Sequence, residues 1–150
     1  MRKKILFIGL YNAARSQMAE ALLNHFYGDA FEACSAGLEP QKLNLLAVEV
    51  MRQQRIDISR KKAKWIYDFF KSGETFDFVI TVCDRENAKR CPEFPGSPKR
   101  LDWLFPDPST FHGSYKEQIA RTRHVRDEIK KKIHQLCTQS ISDSRLRNAA

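Results

Sequence analysis

The sequence predicts an α/β fold in which a parallel sheet carries helices on both faces. Three observations support this. Ile5-Leu6-Phe7-Ile8 is a wholly apolar run with the length of a buried strand. A helical pattern follows it at once, and further stretches of helical spacing separate it from Phe76-Asp77-Phe78-Val79-Ile80-Thr81-Val82, a second strongly β-prone run. Strands alternating with helices point to a parallel sheet built from crossover units. At 150 residues and 42% apolar composition the chain has enough material for one cored domain and too little for two.

Taken in order, the first strand is led in by Lys3 and Lys4 and gives way to the loop Gly9-Leu10-Tyr11-Asn12-Ala13-Ala14-Arg15-Ser16. Ser16 stands where a helix N-cap belongs, with Glu20 one turn on. Met18, Ala19, Leu22, Leu23 and Phe26 then form an apolar stripe. Gly28-Asp29 marks a turn, and residues 31–36 read as a second strand closed by Gly37. Leu43, Leu46, Ala47, Val50 and Met51 share one helical face, which predicts a helix from about Leu43 to Arg55. Trp65, Ile66, Phe69 and Phe70 have helical spacing as well and are expected in the core. The strand over 76–82 ends at Cys83, and a polar stretch leads to Cys91-Pro92. Residues 98–103 read as an edge strand, and Asp107-Pro108 as a loop. A closing helix is expected from Tyr115 to about Cys137, with Val125, Ile129, Ile133 and Leu136 buried. The domain is therefore expected over 1–137. From Thr138 to Ala150 the composition turns polar and small, which predicts a disordered tail.

Composition limits the function classes. The net charge is +8, but the cations are spread over Arg60-Lys61-Lys62, Lys99-Arg100 and Lys130-Lys131-Lys132 with no interleaved aromatic motif. They read as solvated faces, so no specific nucleic-acid partner is expected, only weak and salt-dependent affinity for polyanions. No apolar run reaches membrane-spanning length, and the four apolar residues after Lys4 are too few for a signal peptide, so a cytoplasmic protein with no membrane partner is expected. The four cysteines, Cys34, Cys83, Cys91 and Cys137, have no zinc spacing and should rest as thiols.

Two places carry potential chemistry. A strand, a tight loop and a helix N-terminus make a ready anion site, because unpaired amide N–H groups and the helix dipole converge there, and Arg15 would add a forked cation. The plain alternative is that any doubly wound fold starts this way and that Arg15 is a surface cation. Cys83 and Cys91 stand at a strand's C-terminal edge and in a Pro-rich loop. They could meet if the intervening turn moves, or they could be one core cysteine and one chance cysteine.

The segment Arg15-Ser16-Gln17-Met18-Ala19-Glu20, with Asn12 in place, resembles the phosphate loop of the low-molecular-weight tyrosine phosphatase fold, specifically its thioredoxin-coupled arsenate reductase branch. The resemblance covers roughly Lys3 to Leu136 and implies four parallel strands in flavodoxin-like order, with helices in a layer on each face. It implies an oxyanion site at residues 9–16 taking arsenate, phosphate or sulfate. Val79-Ile80-Thr81-Val82-Cys83-Asp84, continuing to Cys91-Pro92-Glu93-Phe94-Pro95-Gly96, is similar to the branch's redox segment. Cys83 would then attack the arsenate adduct, Cys91 would close a disulfide, and thioredoxin would reduce it. Lys89 and Arg90 would favour the thiolate. Asp107 matches the fold's general acid. Ser109 and Thr110 follow where phosphatases tend to carry two tyrosines, which favours the reductase branch. Ser35-Ala36-Gly37-Leu38-Glu39-Pro40 is also similar, and in the branch the counterparts of Asn12, Glu20 and Ser35 can hold potassium. No other cofactor is expected.

Two positions depart from the pattern: Tyr11, where Gly or His is usual, and Gly9, where the branch has its nucleophilic cysteine. Glycine offers nothing to attack with. An oxyanion-binding protein of the arsenate reductase family with impaired or absent standard catalysis is therefore expected. The alternatives are direct attack by Cys83 with Cys91 resolving, a non-enzymatic oxyanion sensor or partner-binding module, and, in last place, tyrosine phosphatase activity.

Overall fold

The computed structural model describes residues 1–149. Four parallel strands, β1 (Lys3–Gly9), β2 (Phe31–Gly37), β3 (Phe78–Thr81) and β4 (Lys99–Asp102), form one sheet in the order β2-β1-β3-β4. Strand β1 is central because its residues are apolar on both faces. Ile5 and Phe7 point into one hydrophobic cluster and Leu6 and Ile8 into the other, following the two-residue period of a strand. Each of these four side chains is fully buried, which contributes roughly 1.5–3 kcal/mol apiece.

The first cluster is covered by α1 (Arg15–Tyr27), α2 (Leu45–Arg52) and α5 (Tyr115–Ala149), and the second by α3 (Ile66–Ser72) and the segment after β3 that holds Cys91 and Phe94. A short helix, α4 (Arg85–Ala88), opens that segment with Asp84 as its cap. No helix among the described residues is long and apolar enough to cross a membrane.

The sheet and its order are as expected, while several boundaries differ for local reasons. Ala14, not Ser16, is the N-cap of α1 and has no side-chain acceptor to cap it, while the Ser16 hydroxyl accepts from Asn12. Helix α2 begins later than Leu43 because the Asn44 side chain accepts from the N–H groups of Leu46 and Ala47 and so defines the start. Its end is followed by Arg55 with a left-handed φ of 61°. Strand β3 covers only the inner part of the 76–82 run.

The expectation of a disordered tail from Thr138 fails over the described residues, since α5 continues to Ala149; Ala150 lies outside them. The stripe does not stop at Leu136, which is itself only half-buried: Cys137 and Ser140 are buried, Ile141 packs on the core, and the Ser140 hydroxyl accepts from Lys3 Nζ at 3.0 Å. Polar composition concealed this because small residues serve the stripe there. Phe26, Trp65 and Phe70 are 44%, 41% and 38% exposed, against the expected burial. Phe26 lies under the Lys130 ammonium and Trp65 under that of Lys71, so cations cover their faces where core was expected to.

Candidate oxyanion site and cysteine pair

The loop after β1 sits at the C-terminal edge of the sheet, where the chain order reverses between β1 and β3, the usual ligand position in an open parallel sheet. Its shape follows from where its carbonyls go. Those of Gly9, Leu10, Tyr11 and Ala13 accept from the N–H groups of Leu38, Glu39, Gln41 and Asn44 at 3.1, 2.7, 3.0 and 2.8 Å. In a trans peptide the N–H opposes the C=O. Drawing these carbonyls outward therefore turns the N–H groups of Leu10, Tyr11, Asn12 and Ala14 toward the loop's interior. Among the described residues, those of Tyr11, Asn12 and Ala14 have no protein partner.

Asn12 makes the bend possible. It takes a left-handed φ of 50°, a conformation asparagine tolerates better than most residues. Its side chain, 1% exposed, then acts as the hub: Nδ2 donates to Ser16 Oγ at 2.8 Å and Ser35 Oγ at 2.9 Å, and Oδ1 accepts from Gln17 Nε2 at 3.0 Å and the Lys64 N–H at 2.9 Å. Gly37 at the end of β2 admits the loop. A Cβ there would stand 2.8 Å from Asn12 N and 2.9 Å from Tyr11 C.

All eight residues from Gly9 to Ser16 line a cavity of about 90 Å³, joined by Gln41, Lys42, Asn44, Asp107 and Ser109. That is room for one small tetrahedral ion. Arg15 is held over it, with one guanidinium nitrogen donating to Phe105 O at 3.1 Å and the other 3.4 Å from Asp107 Oδ2. The other Asp107 oxygen accepts from the Ser109 N–H at 2.9 Å, so this carboxylate is fixed at the rim. Gly9 is at the cavity floor, and the atom nearest its absent Cβ is Ser16 Oγ, at 2.8 Å.

Arg15 and Asp107 thus line the same cavity as the loop, whereas Cys83 does not. Cys83 and Cys91 are both buried thiols. Burial pushes the Cys83 thiol above its usual range, and Arg15 pulls it back only in part. Burial likewise pushes Cys91 to about 11; Arg100 opposes this, while Asp102 and Cys83 add to it. The expected help from Lys89 and Arg90 is absent. Arg90 pairs with Glu39 at 2.7 Å and Lys89 with Glu86 at 3.2 Å, both on the surface.

The potassium set Asn12, Glu20 and Ser35 is assembled, but its donors do not suit a cation. The Lys64 N–H can only donate, which fixes the Asn12 oxygen toward Lys64 and presents the Asn12 NH₂ group to Ser35. The Ser35 hydroxyl donates to Glu20 Oε1 at 3.2 Å, and the ammonium groups of Lys61 and Lys64 stand 3.6 and 3.5 Å from the Glu20 carboxylate. Lys61, Lys64 and Gln17 were not legible as site residues. Lys61 reads as part of the solvated cluster Arg60-Lys61-Lys62 and Lys64 carries no signal, and no local pattern signals a contact across more than forty residues.

Comparison with known proteins agrees with this geometry. The family model for low molecular weight phosphotyrosine protein phosphatase matches residues 4–146. An arsenate reductase from Shouchella clausii is 39% identical over 135 residues, covering 89% of this chain and 94% of that protein. A solved arsenate reductase in the phosphate binding state superposes with a TM-score of 0.73 at 27% identity, covering 91% of this chain and 98% of the other. The thioredoxin-dependent arsenate reductase of Corynebacterium glutamicum gives 0.65 at 30%, covering 95% of this chain and 63% of that one. The chain belongs to the low molecular weight phosphotyrosine protein phosphatase family, in its arsenate reductase branch.

Proposed function

We propose that this protein binds a tetrahedral oxyanion of the arsenate and phosphate type but has lost the branch's usual first chemical step. Gly9 carries the reading. The cavity above it is lined by inward amides and roofed by Arg15, yet its floor has no side chain to form a bond with the anion. Inward N–H groups, a helix N-terminus and a guanidinium stabilise charge without doing chemistry. Loss of a nucleophile costs on the order of 10⁶ in rate.

Cys83 and Cys91 still hold the two electrons that reduction of arsenate to arsenite requires. Closing a disulfide would release them, and a thioredoxin would restore the thiols in a cytoplasmic setting. A relative that is thioredoxin-dependent and another that binds phosphate support both halves of this reading. Direct attack by Cys83 is disfavoured because it lies outside the cavity lining and its thiol is held protonated by burial.

The test compares the parent with Gly9→Cys in thioredoxin-coupled arsenate reduction, with phosphate binding measured by calorimetry on both. The new side chain meets Ser16, with its Cβ 2.8 Å from the Ser16 hydroxyl and 3.2 Å from the Ser16 Cβ, so the Ser16 side chain must give way. Binding by the parent without turnover, and turnover by the variant, is the expected result. Turnover by the parent would refute the lost step, and absence of anion binding would refute the cradle.

A further inference from the structure

Glu20 is 5% exposed, lies one turn into α1 and faces the set of polar side chains that shapes the oxyanion loop. A buried carboxylate needs a compensating charge or its loop is destabilised. The chain supplies one from a single segment. Residues 61–64, between α2 and α3, approach the loop and bond to it at several points. The Lys62 carbonyl accepts from Gln17 Nε2 at 3.1 Å, the Lys64 N–H donates to Asn12 Oδ1, and the Lys64 carbonyl accepts from the Gly37 N–H at 2.8 Å. With the backbone placed this way, Lys61 and Lys64 deliver their ammonium groups to opposite oxygens of Glu20, at 3.6 Å from Oε2 and 3.5 Å from Oε1.

From this arrangement we infer that Lys61 and Lys64 are a tethered replacement for a monovalent cation beneath the oxyanion loop, so that the loop of this chain is set without potassium. Two features separate this from incidental surface pairing. The Asn12 oxygen that a cation would use is taken by the backbone of the same segment that brings the lysines, so the amide orientation and the charge arrive together. Among the described residues the buried side-chain oxygen left without a partner is Gln17 Oε1, and one amide oxygen is not a coordination shell. Lys61 and Lys64 act as positioning residues. They hold Glu20, which holds Ser35; Ser35 and the Lys64 backbone hold Asn12, and Asn12 holds the bend of the loop.

The anion readout of the test rests on the proposed oxyanion binding, whereas its thermal readout does not. Unfolding temperature and phosphate affinity are measured at equal ionic strength in potassium, sodium and choline chloride, on the parent, on Lys64→Met and on Lys61→Met/Lys64→Met. The parent is expected to behave alike in the three salts. The double variant is expected to lose several degrees and to bind phosphate about tenfold more weakly in choline, the scale of losing a supporting contact around a charged site. Potassium should recover part of both losses, which a merely structural lysine would not show. Selective stabilisation of the parent by potassium would overturn the inference, as would variants that match the parent in every salt. Should the double variant fail to fold, Lys64→Met and the parent's own salt comparison decide it. Should no chain bind phosphate, the oxyanion reading fails and the melting temperatures still decide the role of the lysines.

Discussion

The loop after β1 and the segment after β3 sit side by side at the same edge of the sheet, yet each lacks what the other has. The first gathers inward amides, a helix N-terminus and Arg15 around an empty floor at Gly9. The second retains two thiols but encloses them, with Cys91 pushed to about 11 and its sequence neighbours Lys89 and Arg90 paired with surface carboxylates. One region offers electrostatics without a nucleophile, and the other nucleophiles without the electrostatics. Chemistry needs both at one point, so under the proposed function oxyanion recognition and thiol chemistry can be altered one at a time in this chain.

The sharpest way to break the contrast is to remove the charge from the loop. Arg15→Ala should weaken phosphate binding by roughly a hundredfold, the scale of losing a buried charge-assisted contact, and should leave alkylation of Cys91 unchanged; calorimetry and thiol labelling read the two effects separately. Equal affinity in the variant would mean that the amides alone make the site. Gly37→Ala tests whether the loop is held from outside. Its Cβ would meet backbone atoms of Tyr11 and Asn12, which cannot rotate away, so a loss of about 1–3 kcal/mol in chemical denaturation is expected together with weaker anion binding. An unchanged midpoint would show that β2 can recede without cost.

The remaining test concerns the thiols. Cys91 and Cys137 are buried neutral, raised from 9.0 to about 11 and about 12. Between pH 9 and these values the unfolded chain has released protons that the folded one retains, so stability falls as pH rises. A decline on the order of a few kcal/mol across that window is expected in denaturant midpoints, with part of it removed in Cys137→Ala relative to that variant's own neutral-pH value. A flat profile would mean that the thiols are not enclosed as described.

The parts of this molecule that could be read from its sequence are those with local causes. The apolar run at Ile5 to Ile8 and the β-prone run whose inner part is β3 each carry their own pattern, whereas Arg15 and Asp107, which line the cavity, stand out from a surface cation and a loop residue only through the resemblance. Where contacts across the chain decide, the pattern fails. Ser16 resembles an N-cap until Asn12 claims its hydroxyl, and Lys61 looks solvated until its segment approaches Glu20. Arg90 appears to serve Cys91, its neighbour in sequence, but turns to Glu39, fifty-one positions away.

The bond from Lys3 to Ser140 also affects how the chain folds as it is made. It ties the first strand to the last helix across 137 positions, and Ile129 and Ile133 of that helix complete the cluster beneath α1. A nascent chain held by the ribosome with α5 still in the exit tunnel exposes the apolar underside of α1, the helix whose first turn carries Arg15. The central strand is synthesised long before α5, so this face of the core closes only once α5 has emerged, with the slow, long-range assembly that such sequence separation imposes.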